Sequence, residues 1–445
     1  MATFIFAPLA EQGHVNPTLR ITKALQARGH RVVYCGLPDL QGFIQREGFE
    51  FEPILEEFFP KDFHARLLEN TTSLTGPRLL RFEWEMLRLQ ARVREAMLGG
   101  ALDGVFRRLR PQLVLCDMLV SEPPLVAHGH GVRTLLLNTT IPLRREAGSA
   151  PLSSPLIPDG GALTALRGSL SWLRITYRQR LLGWLNRGHA RYIKSLARRY
   201  GFPQERLDFT AETLCTRGPE LVLCPREFVE MGTPRTRGSY LYAGPSVDLE
   251  RQEPDFPWER LTPGKPLILV YLGTMGFRTQ ADTRLFRLLL QVAASRPEWQ
   301  FVLGLGRKLD ASAFDGIVPN VIAANRVPQV GLLRRATAMI THGGFNSVKE
   351  CICLGVPMVV IPLQYDQPGI SSRVVHHGLG TRILPAQLSV DTLLAGLDQV
   401  VREGRYKQAV SSLSARFQRA EQDQPAAELI ERFVDVEATT PVFTR

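Results

Sequence analysis

Nowhere do the 445 residues hold an apolar run near the ~18 needed to cross a bilayer. A membrane span is therefore not expected. The chain also lacks an opening charged region followed by a long apolar one. Thr3 to Pro8 is a short apolar strand instead, so no secretory leader is expected and the cytoplasm is the expected location. The six cysteines, Cys35, Cys116, Cys215, Cys224, Cys351 and Cys353, contain no CxxC pair and mostly sit in apolar runs, which points to free thiols. The turn after the first strand, AEQGHVNP, has no GxGxxG, and Gly304-Leu305-Gly306 does not replace it. That disfavours a dinucleotide-dependent oxidoreductase. Internal repeats, low-complexity segments and long acidic tracts are missing too, so most of the chain should fold.

What is present is ordinary globular composition, 44% hydrophobic and 22% charged, in a chain too long for one comfortable core. Two domains of roughly 200 residues are the natural division. The net charge of +11 by itself does not choose among nucleic acid, a membrane surface and an anionic substrate. Its distribution is more informative. From Gly161 to Gly201 stand Arg167, Arg174, Arg178, Arg180, Arg187, Arg191, Lys194, Arg198 and Arg199, with no Asp or Glu.

The opening reads strand, loop, helix, strand: TFIFAP, a polar loop, NPTLRITKALQARGH, then RVVYCGL. Asn16 suits an N-cap, Pro17 the first helical position and Gly29 the stop. LVLCDML at 113–119 and TLLLNTT at 134–140 resemble buried parallel strands. Residues 246–265 turn polar and proline-rich, as an interdomain linker would, and a second α/β pattern follows in LILVYLG, WQFVLGLG, NVIAANRV, AMITHGG and MVVIPLQ. The expected fold class is α/β, with two tandem Rossmann-like doubly wound domains and a cleft between them. The expected division is 1–245, the linker 246–265, 266–420, and a C-terminal helix in 421–445 packing back on the first domain.

In ITHGGFNSVKE, residues 340–350, a strand ends at Thr341, His342-Gly343-Gly344 forms a turn, and a helix starts near Phe345. Free N–H groups and the positive end of a helix dipole suit such a turn to phosphate oxygens. His342, Asn346 and Ser347 add donors, and Gly344 permits close approach. Glu350, one turn beyond Asn346, lies about 6 Å along the axis, the span from a phosphate to a ribose diol. Each residue alone is better read as part of a strand-to-helix turn with an Asn or Ser cap and a surface Glu.

Together with its surroundings, RVPQVGLLRRATAMITHGGFNSVKECICLGVPMVVIPLQYDQP, the segment resembles the C-terminal signature of family 1 glycosyltransferases, enzymes of the two-domain GT-B fold. The resemblance implies that His342, Asn346 and Ser347 bind a diphosphate, Glu350 the ribose, Gln329 the base and ribose, and Asp366 with Gln367 the sugar hydroxyls. On residues alone Asp366 is equally a cap for the following helix. Arg326 stands where many members have a base-stacking Trp, and a guanidinium plane can also stack on a base. Thr274 in VYLGTMG resembles the Ser or Thr that touches the phosphates, though Gly-Thr after a strand is also a simple turn.

His14 follows the first strand and Asp117 ends another, so both should emerge at the carboxyl edge of one sheet, where ligands bind in open α/β folds. The family uses a His and an Asp at these places. The resemblance implies a single displacement with inversion, His14 acting as general base and Asp117 holding its tautomer. The donor region has no DxD-like pair or His/Cys cluster, so neither metal nor cofactor is expected beyond the nucleotide sugar. UDP-glucose is the preferred donor, with a dTDP-sugar as the alternative. Expected partners are this donor and an apolar small-molecule acceptor, with no nucleic acid. DQPGISSRVVHHGLG looks most like the carotenoid glucosyltransferase branch, with polyketide acceptors close behind. The basic 161–201 segment suits an amphipathic helix pair at an acceptor pocket or a membrane surface, or equally a solvated face over a core helix. A non-catalytic nucleotide-sugar or lipid-binding protein is the alternative of another class.

Overall fold

The computed structural model describes the chain apart from residues 64–66, 68–74, 146–149, 160, 186, 210–214, 232–239, 274–279, 307–308, 424 and 437–445. The first half is built on a sheet of seven parallel strands: β1 (Thr3–Ala7), β2 (Arg31–Gly36), β3 (Glu50–Pro53), β4 (Leu113–Asp117), β5 (Arg133–Asn138), β6 (Glu220–Val222) and β7 (Tyr240–Tyr242). Their order is β3-β2-β1-β4-β5-β6-β7. The second half repeats the plan with β8 (Leu267–Tyr271), β9 (Gln300–Gly304), β10 (Val321–Ala324), β11 (Ala338–Thr341), β12 (Met358–Val360) and β13 (Gly380–Arg382), in the order β10-β9-β8-β11-β12-β13. In each sheet the order reverses beside the first strand, at β1/β4 and at β8/β11. The turns there diverge and leave a crevice at the carboxyl edge.

The strands read as continuous apolar runs because both faces are covered. Phe4, Phe6, Leu113 and Leu115 pack on one side of the first sheet, and Ile5, Ala7, Val114 and Cys116 on the other. The five cysteines whose side chains are described are free thiols. Strands β3, β6, β7 and β13 have only three or four residues each, and the sequence reading passed over them.

The first helix corrects one expectation. It spans Gln12–Ala27, so Pro17 lies inside it and Asn16 is no N-cap; Glu11 holds that position. His14 therefore rides on the first helical turn rather than on a loop. Pro17 is tolerated this close to the start because the only bond it removes is the one to the Gly13 carbonyl.

The two halves share an apolar cluster. Ile141, Leu152, Val222 and Phe228 from the first pack with Phe345, Val348, Ile352 and Ile370 from the second. Within it, fully buried Lys349 donates its ammonium to the carbonyls of Leu223 and Pro245, at 3.0 and 2.9 Å. The last described helix, Ala426–Val436, buries Ala426, Ala427 and Ile430 among core residues of the first sheet. The linker is more than a tether. Glu253 accepts from the N–H groups of Val330 and Gly331, both at 2.8 Å, and so caps the short helix Gln329–Leu333.

Candidate active site

His14, Asp117 and the residue after β5 come from three adjacent segments at the carboxyl edge of the first sheet. The His14 Nδ1 lies 2.7 Å from the Asp117 Oδ2. Thr139 Oγ1 stands 2.8 Å from the same Nδ1 and donates to the same carboxylate oxygen at 3.1 Å. The other Asp117 oxygen accepts from the Leu119 N–H. With its Nδ1–H committed to Asp117, the ring leaves Nε2 as the proton acceptor. Burial by itself would lower the His14 pKa, but the hydrogen bond and charge of Asp117, with smaller contributions from Glu11 and Asp366, outweigh it and raise the pKa above 6.5.

Across the cleft, the helix Phe345–Cys353 begins at Gly344 with no side-chain cap and no acidic residue in its first turn. Its first N–H groups are thus left for an anion. His342 packs between Gly273 and Gly344: a Cβ on either glycine would lie 2.7 or 2.5 Å from the ring. Burial pushes its pKa down to about 4, so the ring is neutral, and its Nδ1 is buried without a hydrogen-bond partner among the described residues. A neutral imidazole with an unsatisfied nitrogen suits hydrogen bonding to a phosphate. Asn346 reaches the other half, its amide donating to the Gly13 carbonyl at 2.7 Å.

Glu350 is held on two sides. Arg251 from the linker meets both its oxygens at 2.6 and 3.2 Å, and the buried Gln329 amide donates to it at 2.7 Å and to Ser347 Oγ at 3.1 Å. Gln329, Ser347 and Glu350 thus form one network. A small cavity bounded by Asn16, Ser246, Asp248, Arg251, Asn346 and Glu350 opens beside it.

Asp366 does precede the helix Gln367–His376, but its carboxylate makes no cap. It accepts instead from Thr140 Oγ1 at 2.6 Å, across the cleft. Burial raises its pKa, against the Thr140 hydrogen bond, its own backbone N–H and the charge of His14, which lower it. Gln367 uses its carbonyl on the N–H groups of Leu363 and Gln364, at 2.8 and 2.9 Å, which leaves its NH2 to address a hydroxyl. Arg326 is exposed on the turn before Gln329, with its side chain open to stack on a ligand. Thr274 lies outside the described residues.

Thr139, Thr140, Arg251 and Lys349 were missed by the sequence reading. The two threonines had a signal: they are the polar residues that end the apolar run TLLLNTT at the edge where ligands bind. Arg251 and Lys349 had none, since charged residues in a polar linker and on a helix are ordinary.

The family described as "UDP-glucoronosyl and UDP-glucosyl transferase" matches residues 308–434, the part that carries His342 through Gln367. Over 433 residues the chain is 25% identical to a demethyllactenocin mycarosyltransferase of Streptomyces fradiae, covering 97% of this chain and 86% of that one. Over 431 residues it is 26% identical to a zeaxanthin glucosyltransferase of Pantoea ananas, covering 94% and 93%. The chain is similar to glycosyltransferases over nearly its whole length, and the family match falls in its second half. Its fold is similar to that of the solved glycotransferase of kitacinnamycin, with a TM-score of 0.71 at 23% identity over 97% of this chain and 99% of that one. Both sheets of this glycosyltransferase thus belong to the GT-B arrangement. Its cleft is the place where a nucleotide sugar and an acceptor would meet.

Proposed function

We propose that this glycosyltransferase moves a sugar, preferably glucose from UDP-glucose, to a hydroxyl of an apolar small molecule such as a carotenoid or polyketide, with inversion at the anomeric carbon. The observation that carries this reading is the His14–Asp117 pair, linked through Thr139 and Thr140 to Asp366 on the opposite wall. It brings the imidazole that would act as general base near the carboxylate that would hold the sugar.

In the single displacement, the acceptor oxygen attacks the anomeric carbon as its proton passes to His14 Nε2. The new C–O bond forms while the bond to the diphosphate breaks, and the diphosphate keeps the electron pair. Asp117 fixes the tautomer and stabilises the imidazolium. On the donor side, His342, Asn346, Ser347 and the free N–H groups from Gly344 onward would take the diphosphate. Glu350 and Gln329 would take the ribose, with Arg326 stacking on the base. A sugar that keeps its hydroxyls suits Asp366 and the Gln367 NH2, and glucose is preferred over deoxysugars for that reason. The names of the two curated relatives, one acting on zeaxanthin, support an apolar acceptor.

The test is a mass-spectrometric screen of UDP-glucose and dTDP-glucose against carotenoid, polyketide and flavonoid alcohols, with the anomeric configuration of each product read by NMR. A β-glucoside from UDP-glucose is expected. A glycoside formed only from the thymidine donor overturns the uridine choice, and an α-linked product overturns inversion.

A further inference from the structure

Two helices of the first half carry large apolar side chains on faces that nothing among the described residues covers. In the helix Ala162–Leu185, Leu163, Leu166, Leu170, Leu173, Tyr177 and Leu181 are each between 51% and 70% exposed. At 3.6 residues per turn their spacing confines them to an arc of about 80°. Gly168 and Trp172, the buried positions among those whose side chains are described, lie on the opposite side. The stripe is therefore the outer face of the helix and not a core face misplaced. Arg167, Arg174 and Arg178 are exposed and run along one flank of the stripe.

A monomer in water gains nothing from this arrangement, because contiguous exposed apolar surface costs solubility. A second copy of the chain fits poorly. The segment 161–201 has no Asp or Glu to meet the arginines, so an antiparallel pair of these helices would set arginine against arginine. A bilayer with acidic headgroups offers both missing components, an apolar interior for the leucines and anions for the guanidinium groups. We infer that the helix Ala162–Leu185 docks this enzyme on an anionic lipid surface, lying in the interface plane. No helix among the described residues is long and apolar enough to cross a membrane. The neighbouring helix Pro77–Gly99, which packs on the same helix Arg187–Arg199, exposes Leu80, Trp84 and Leu87. It carries Glu83, Glu85 and Glu95 among its five arginines, so the charge argument is made on Ala162–Leu185, which has no acidic residue. The docking does not depend on which acceptor or sugar the enzyme takes.

Cosedimentation of the full-length protein with vesicles tests it, comparing phosphatidylcholine alone with phosphatidylcholine mixed with phosphatidylglycerol. The wild type should bind the mixed vesicles at least ~10-fold more tightly, and added salt should weaken the binding. The triple variant Leu166→Ser, Leu170→Ser, Leu173→Ser should lower this affinity by about tenfold or more. Arg167→Ala, Arg174→Ala, Arg178→Ala should remove the preference for the anionic vesicles. All six side chains are exposed and none belongs to the candidate site, so melting temperature and donor binding should stay at wild-type values and show that the variants fold. Wild-type protein that remains in the supernatant with anionic vesicles overturns the inference. So does undiminished binding by the leucine variant, or a dimer in sedimentation velocity that the leucine variant dissociates while vesicle binding is absent.

Discussion

The Asn346 amide donates to the Gly13 carbonyl at 2.7 Å, joining the first turn of one domain's helix to the first turn of the other's. In a regular helix the Gly13 carbonyl would accept from the N–H of residue 17, and Pro17 has none. The bond between the halves takes the acceptor that the proline leaves open.

Asn346→Ala should raise the donor KM about fivefold, as expected for a partly exposed hydrogen bond near 1 kcal/mol. Pro17→Ala supplies a competing N–H and should raise the donor KM in the same direction. In the Asn346→Ala background Pro17→Ala should then add nothing, because the two act through one carbonyl. Additive effects in this double-mutant cycle would show that the proline acts by another route.

The pH profile follows from His14. Protonated, it cannot accept a proton, so kcat/KM should rise with pH through its pKa, and the raised value puts that acid limb above pH 6.5. Asp117→Asn removes the main influence that raises the pKa and leaves burial to lower it. The limb should move below 6.5 as the rate falls. His14→Ala should cost roughly 10²–10⁴-fold in kcat. A limb that stays in place in Asp117→Asn would sink the assignment.

His342, its pKa pushed down to about 4 by burial, is neutral near pH 7. His342→Ala should raise the donor KM by about tenfold or more, the scale of a hydrogen bond to a charged phosphate, and leave the acid limb of the profile unmoved. Gly344→Ala places a Cβ 2.5 Å from the His342 Nε2 and should produce a similar KM by displacing the ring. Isothermal titration with UDP measures both.

Arg251 faces Glu350 with little exposure on either side chain, 19% and 6%. Arg251→Ala leaves a buried carboxylate with only Gln329 as partner among the described residues. Denaturant unfolding should report a loss of about 3 kcal/mol. Arg251→Lys, which keeps the charge but not the paired N–H donors, should recover part of it. Full stability in Arg251→Ala would show that the carboxylate is satisfied otherwise.

The second-domain site was the most legible part of the chain. Strand, glycine turn and helix N-terminus are consecutive in 338–350, so the anion-binding geometry of His342, Gly344 and Ser347 follows from local backbone rules. The start of the first helix was read five residues late, because Pro17 is a strong signal for the first helical position and the freed Gly13 carbonyl that excuses it elsewhere lies against Asn346. Asp366 left two readings open, cap or ligand group. Only Thr140, 226 residues away, shows that its carboxylate turns into the cleft.

By itself, the order of residues determined two parallel α/β sheets and which residues stand at their carboxyl edges, since apolar runs, glycine stops and alternation act over a few residues. Tertiary structure decided the rest: that Asp117 and Thr139 share one His14 nitrogen, that Arg251 of the linker meets Glu350, and that Lys349 is buried on the carbonyls of Leu223 and Pro245. These contacts join segments about a hundred residues apart. Hydrogen bonding has no sequence periodicity at that range, and only the packing of the two sheets edge to edge brings the partners within reach.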